Sequence, residues 1–191
     1  MSSYRIRGVD VSIVPCNGVY EPSDDTFLVM ENADPSGDVL EMGTGSGIIA
    51  IFLAILGYNV VGADINMQAI KCAESNAKLN NCRVHFRQSD LFSQVRESFD
   101  TIIFNPPYLP SDDRIPGSEQ WDGGPDGFRV LRPFLSELPG HLKEKGRAYV
   151  VLSSFTDIAS LILEFSNCSF QPVKDVSFTF ETLFLYRIGL K

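Results

Sequence analysis

Histidine is almost missing from this chain, and the two present, His85 and His141, lie far apart. No His/Cys/Asp/Glu group shows metal-ligand spacing, so no metal centre is expected. The four cysteines, Cys16, Cys72, Cys82 and Cys168, include no C-x-x-C pair, which excludes the common zinc and redox motifs. Their wide spacing reads as reduced core thiols in a cytoplasmic protein. Met1 to Asp10 has no apolar stretch, so no secretory leader is expected. Positive charge is also short. Lys and Arg total 16 against 24 Asp and Glu, giving a net charge of −8. A protein that grips nucleic acid through phosphates carries a basic face, so this balance weighs against such a partner. A long charge-free run, Gly43 to Ala63, is interrupted by Gly43, Gly45, Gly47, Gly57 and Asn59, and reads as structure around a turn rather than a membrane span. Ser153-Ser154 has no nucleophile-elbow pattern, which argues against hydrolase chemistry.

What remains is a chain of 191 residues, 44 % apolar, sized for one domain with one core. The pattern predicts a helix from about Asp24 to Ala33 and a turn at Asp34–Gly37. Strands are predicted at Val39–Met42, Val60–Ala63, Arg83–Phe86, Thr101–Phe104 and Ala148–Leu152. Helices are predicted at Ile48–Leu56, Met67–Leu79 (with Asn66 as N-cap), Phe128–Leu138 and Ile158–Phe165. Two β-rich runs, Val173–Phe180 and Leu183–Ile188, close the chain as a hairpin. Strands alternating with helices imply a mostly parallel sheet covered on both faces, and the hairpin adds one antiparallel strand. Ligands of such sheets bind beyond the carboxyl ends of the strands, here after Met42, Ala63, Gln88 and Phe104.

Glu41-Met42-Gly43-Thr44-Gly45-Ser46-Gly47 follows the first of these strands. Its glycines permit a tight turn and a close approach to a ligand at a helix start. Asp64 ends the next strand, where a carboxylate can accept hydrogen bonds from ribose hydroxyls. The dinucleotide fingerprint does not fit, because Ile48 occupies the place of its third glycine. A glycine turn without a ligand is the plain alternative. Glu41 would repel a pyrophosphate but suits a cationic amino group. S-adenosylmethionine, which carries an amino group and a sulfonium, matches that charge. The segment resembles motif I of the class I methyltransferases. By that resemblance Gly43, Gly45 and Glu41 contact the cofactor, Asp64 holds its ribose, and Asp90 faces its adenine amino group.

Asn105-Pro106-Pro107-Tyr108 lies directly after the fourth strand. Proline fixes φ and offers no N–H, so Pro106-Pro107 is rigid and its carbonyls lack local donors. With the Asn105 side-chain carbonyl they form two fixed acceptors for one NH2 group, and Tyr108 can stack on a flat substrate. A proline turn ending a strand is the bland reading. The tetrapeptide resembles motif IV of amino-methyltransferases, in which Asn105, Pro106 and Tyr108 carry catalysis, Asn105 through Tyr108 bind substrate, and Asn105 also contacts cofactor.

Two further segments are similar to the HemK-like glutamine methyltransferases of class 1 release factors. Tyr20-Glu21-Pro22-Ser23-Asp24-Asp25-Thr26-Phe27-Leu28 resembles a segment of the eukaryotic and archaeal branch, and Trp121-Asp122-Gly123-Gly124-Pro125-Asp126-Gly127 resembles its G-G-x-x-G loop. The resemblance implies a Rossmann-like fold with strand order 3-2-1-4-5-7-6, and one domain over residues 1–191. It implies methylation of the glutamine of a Gly-Gly-Gln loop, with Thr26 and Asp24 closing over the cofactor. Ser23 and Asp24 also suit a helix N-cap. The role of Trp121 stays open between lid and sheet cover. The family's single-domain branch further implies a small zinc-binding activator protein, expected to add a strand beside Arg83–Phe86. An adenine N6-methyltransferase acting on nucleic acid shares the tetrapeptide but would need a basic groove, and a non-catalytic binding module would not need an intact tetrapeptide.

Overall fold

Val39-Leu40-Glu41-Met42 and Thr101-Ile102-Ile103-Phe104 are buried at every position, as strands covered on both faces must be. They sit at the centre of a seven-stranded sheet. The computed structural model describes residues 1–111 and 120–191. In chain order the elements are β1 (Ser2–Ile6), β2 (Val9–Ile13), α1 (Asp24–Asn32), β3 (Asp38–Met42), α2 (Ile48–Ile55), β4 (Asn59–Asp64), α3 (Met67–Leu79), β5 (His85–Gln88) and β6 (Phe99–Phe104). There follow α4 (Leu131–Glu137), a 3-10 turn (Leu138–Gly140), β7 (Leu142–Ser153), α5 (Ile158–Glu164), β8 (Cys168–Ser177) and β9 (Thr182–Leu190). The sheet order is β5-β4-β3-β6-β7-β9-β8, the expected order, with β9 antiparallel to both its neighbours.

Side chains alternate between two cores. Val39 and Ile103 join α1, α2 and the β1–β2 hairpin on one face. Leu40, Met42, Ile102 and Phe104 join α4 and α5 on the other. Among the described residues no helix is long and apolar enough to cross a membrane.

Several boundaries differ from the sequence reading. The β1–β2 hairpin was read only as mixed chain. Its turn, Arg7-Gly8, places both residues at positive φ, the geometry of a two-residue hairpin turn, and Arg is an unusual occupant. The edge strand is His85–Gln88, not Arg83–Phe86, because the chain leaves α3 through a left-handed Asn81 and needs Cys82–Val84 to reach the sheet. The last hairpin is Cys168–Ser177 with Thr182–Leu190, so Phe178 and Phe180 lie in its turn rather than in a strand. The helix expected over Phe128–Leu138 is confined to Leu131–Glu137, and the strand expected over Ala148–Leu152 extends over Leu142–Ser153.

The cysteine reading is corrected as well. Cys16 and Cys72 form a disulfide across 56 residues, and only Cys82 and Cys168 are free. Cys72 lies on the same face of α3 as Ala69 and Asn76, and the segment leaving β2 folds onto that face. Wide sequence spacing carries no information about such a pairing.

The same face gives the hairpin its anchor. Among the described residues the exposed edge of β2 has no further strand, and the amides of Asn76 in α3 and of Asn80 just after it take its place. Asn80 accepts from the Ser12 N–H at 2.9 Å and donates to the Ser12 carbonyl at 2.7 Å. Asn76, 1 % exposed, accepts from the Val14 N–H at 2.9 Å and donates to the Ser46 carbonyl at 3.0 Å. Asn76→Ala would leave the Ser46 carbonyl without this donor in a buried site. A loss of stability of about 1–3 kcal/mol is expected from a buried unsatisfied group of this kind. Urea unfolding of the variant tests this; an unchanged midpoint would show that the hairpin is held by packing alone.

Candidate active site

In the centre of the sheet Met42 of β3 pairs with Phe104 of β6, so both chains leave the sheet side by side at its carboxyl edge. From β3 the backbone enters the glycine loop with Gly43, Gly45 and Gly47 all at positive φ. A side chain at Gly43 would press against the Phe104 ring, with its Cβ at 3.3 Å, and one at Gly47 would collide with Ala73 of α3, with its Cβ at 2.8 Å. The loop therefore turns at once into α2, lying against both the neighbouring strand and the neighbouring helix. Hydrogen bonds stitch it to β4: the Thr44 N–H donates to the Ala63 carbonyl at 2.9 Å, and the Gly45 N–H to the Asp64 carboxylate at 2.9 Å.

Around these strand ends lies a cleft of about 830 Å³. Glu41, Gly43, Gly45 and Asp64 line it from the glycine-loop side. Asn105, Pro106, Pro107 and Tyr108 line it from β6, with Thr26 of α1 and the exposed Asp90 at further points of the wall. Every residue assigned to the site from sequence is thus brought to one cleft. The exception is Asp24, suggested as a lid residue. It is exposed at the start of α1 and does not line the cleft, because its neighbours Asp25 and Thr26 are the ones that turn inward. Thr26 also completes the cap of α1, its hydroxyl accepting from the Ser23 N–H at 3.3 Å.

The electrostatics favour a cation. Glu41 is 3 % exposed; its carboxylate accepts the Thr44 hydroxyl and the Ala50 N–H, so it also caps a free N–H in the first turn of α2. Burial pushes its pKa up to about 8 from an ordinary 4.5. Burial also raises that of Asp64, against the pull of the Asn66 and Gly45 N–H groups. Two acids held in this way gain when a positive group enters beside them.

Asn105 supplies the complementary feature. Its side-chain oxygen is buried and has no hydrogen-bond partner. Such an acceptor costs stability unless a ligand donates to it. The tetrapeptide behind it is well fixed: Pro106 is buried, and Tyr108 is half-buried with its hydroxyl bonded to Asp25 at 3.3 Å.

Sequence reasoning missed several lining residues. Asp25, Tyr20 and Gly18 come from the N-terminal segment. Gln120 donates to the Gly18 carbonyl at 2.9 Å, closing one end of the cleft. Asp122, buried and paired with Arg129 at 2.9 Å, braces the Gly123-Gly124 turn. Trp121, 37 % exposed, also lines the cleft. The segments Tyr20–Leu28 and Trp121–Gly127 stood out in the sequence, with Trp121 open as a lid, but nothing local assigned Tyr20, Asp25 or Asp122 to the cleft, and Gly18 and Gln120 carried no signal.

A model of the methyltransferase small domain matches residues 23–176. The chain belongs to that family. A Methanocaldococcus jannaschii protein provisionally named a protein N5-glutamine methyltransferase is 44 % identical over 159 residues, covering 80 % of each chain. Human methyltransferase HEMK2 is 31 % identical over 151 residues, covering 70 % of this chain and 71 % of that one. Of bacterial release factor glutamine methyltransferases the chain spans about half; it covers 48 % of that of Streptococcus pneumoniae, at 32 % identity. In fold, it is similar to the E. cuniculi Mtq2–Trm112 complex, described as methylating the eRF1 translation termination factor. That likeness has a TM-score of 0.73 at 24 % identity and covers 91 % of this chain and 99 % of the other.

The methyltransferase uses S-adenosylmethionine, and the cleft fits it: the buried Glu41 and the half-buried Asp64, both with raised pKa values, face a glycine turn that side chains would obstruct. The raised Glu41 pKa predicts a pH effect. As a group with its folded pKa above the ordinary value, Glu41 contributes stability that is complete below about 4.5 and lost as pH rises through about 8. A cation that binds the carboxylate reverses this preference, so affinity for S-adenosylmethionine should rise with pH up to about 8. Calorimetry from pH 6 to 9, with Glu41→Gln as control, checks it; identical profiles in the two proteins would remove Glu41 from the amino-group site. Asp64→Ala should weaken binding by about 1.5–3 kcal/mol for each charge-assisted hydrogen bond lost to the ribose. Unchanged affinity in the folded variant would refute the ribose role.

Proposed function

We propose that the chain transfers the methyl group of S-adenosylmethionine to the side-chain amide nitrogen of a glutamine, in the Gly-Gly-Gln loop of a class 1 release factor. One observation carries the reading: the buried, unpartnered Asn105 oxygen at the end of β6, beside the glycine loop at the end of β3. The name of the archaeal relative supports a glutamine target, and that of the bacterial relative supports a release factor as its carrier.

When bound, S-adenosylmethionine supplies an electrophilic methyl group on a sulfonium. Gly43, Gly45, Asp64 and Asp90 would hold it, and Glu41 would take its amino group. Asn105 and the Pro106 carbonyl accept the two hydrogens of the substrate NH2, which aims the nitrogen and raises its electron density. Tyr108 and Pro107 bound the plane of the amide. As the new N–C bond forms, the sulfur–methyl bond would break with its electron pair kept by the leaving thioether sulfur, and the nitrogen would release one proton to water. No strong base among the site residues is required, and positioning with fixed dipoles supplies the acceleration.

We further assign a small zinc-binding activator to the free edge of β5. Arg87, a charge that would otherwise discourage pairing, is folded back onto Glu97 at 2.8 Å. The partner would add a strand beside His85–Gln88, and not beside Val84, which lies outside the strand. A cytoplasmic location belongs to the same proposal and rests on the substrate, since the Cys16–Cys72 bond removes the argument from reduced thiols.

A radiolabelled methyl-transfer assay tests the function. Label should enter the release factor and be lost when its loop glutamine is replaced, while DNA, RNA and histone remain unlabelled; the reverse pattern would overturn it. Activity of the isolated, monomeric chain equal to that with the activator would remove the partner. In the same assay Asn105→Ala should lose turnover by about 100-fold, the cost of a misplacement near 1 Å. Its thermal stability should be unchanged or higher, because an unsatisfied acceptor has been removed. Near-normal turnover would refute its role. Tyr108→Ala should lower turnover and, through lost stacking, weaken substrate binding as well.

A further inference from the structure

Asp25, 4 % exposed near the start of α1, is the buried carboxylate on which the cleft's two tyrosines converge. Its Oδ2 accepts the Tyr20 hydroxyl at 2.9 Å and the Tyr108 hydroxyl at 3.3 Å. Its Oδ1 accepts the Thr26 N–H at 2.6 Å and the Thr26 hydroxyl at 3.2 Å. One side chain thus joins the segment before α1, the first turn of α1, and the tetrapeptide 83 residues further along. All of these residues line the cleft. Burial first, and the Asp25 charge second, push both phenols far above their ordinary range, so each hydroxyl keeps its proton and stays a donor.

We infer that Asp25 is the positioning residue of the substrate slot: by holding the hydroxyls of Tyr20 and Tyr108 it fixes the Tyr108 ring as a wall and so sets how a planar amide reaches Asn105, without touching cofactor or substrate. A tyrosine with a free hydroxyl swings about two side-chain torsions; one tied at its far end does not. The tie also consumes the hydroxyl, so Tyr108 offers the slot a ring face and no competing donor, and the NH2 of the substrate is left to Asn105. A carboxylate is required for this. Donors converge on both of its oxygens, and an amide in the same place would turn its NH2 toward either the phenols or the Thr26 N–H, whichever way it flips.

The inference rests on the methyl-transfer reading for its kinetic readout only, and a second readout is independent of it. Asp25→Asn, Tyr108→Phe and the double variant are compared with the wild-type chain for S-adenosylmethionine affinity by calorimetry, and for kcat and KM on the substrate the wild type methylates. In parallel, spectra with ring-13C tyrosine follow the Tyr108 resonance, assigned by its absence in Tyr108→Phe. The expected result is a fall in kcat of about 10- to 100-fold in each single variant, with cofactor affinity kept within about twofold. The double variant should be no worse than Asp25→Asn, since both changes break one tie. The Tyr108 resonance should move or broaden in Asp25→Asn. An unchanged resonance, additive losses in the double variant, or a drop in melting temperature with kcat retained would each overturn the inference. Absence of any glutamine methylation by the wild type would instead overturn the proposed function, and the resonance would still decide the role of Asp25.

Discussion

The register between β3 and β6 is the constraint from which the rest of the site follows. Hydrogen-bonded parallel strands lie about 4.8 Å apart, and their ends point to the same edge of the sheet. Pairing Met42 with Phe104 therefore delivers the glycine loop and Asn105 to adjacent places without any long-range search. The central sheet position also buries both strands on both faces, which makes the platform stiff. The glycine loop at one strand end and the tetrapeptide at the next are held at a separation set by the backbone ladder. The ladder tolerates little drift, since a slip of one residue would turn Val39, Leu40, Ile102 and Ile103 into the wrong cores.

Around that platform the protein keeps groups that a purely structural protein would discard. Glu41 is buried with its pKa raised to about 8, and Asn105 holds an acceptor with nothing to accept. Each opposes folding, and each is relieved only by a ligand of complementary chemistry: a cation for the acid, an N–H donor for the carbonyl. Local violations of this kind concentrate at functional sites because there the ligand completes the hydrogen-bond inventory. The stability they cost is offset by the two apolar cores on either side of the sheet.

This division explains what the sequence revealed. The glycine loop, Asp64 and the Asn105–Tyr108 segment were legible because their chemistry is contained in a few consecutive residues at strand ends. The helix α3 was legible in full, from its Asn66 cap to Leu79, because cap and periodicity are both local. The β1–β2 hairpin was not, since its turn is Arg7-Gly8 rather than Asn-Gly, and its edge is satisfied by asparagines more than 60 residues away. The Cys16–Cys72 bond and the Asp25 tie escaped for the same reason: they are contacts between segments whose spacing along the chain says nothing about their spacing in space. Asp24 and Asp25 are identical in sequence terms, and only the turn of α1 decides which one faces the cleft.

The segments that were hardest to read turn out to be those that finish the site. The sheet supplies a floor and one rim, which suffices to hold a cofactor in many proteins of this architecture. The opposite wall here is built by residues 14–26, and that stretch has little regular structure of its own before α1. It is held at three places: to α3 by Asn76 and the disulfide, to the loop beyond the tetrapeptide through Gln120 and the Gly18 carbonyl, and to Tyr108 through Asp25. Each attachment reaches an element that also carries part of the cleft. The wall and the tetrapeptide are therefore tied to each other directly, and a change in the N-terminal segment reaches Tyr108, three residues from the unpartnered Asn105 oxygen.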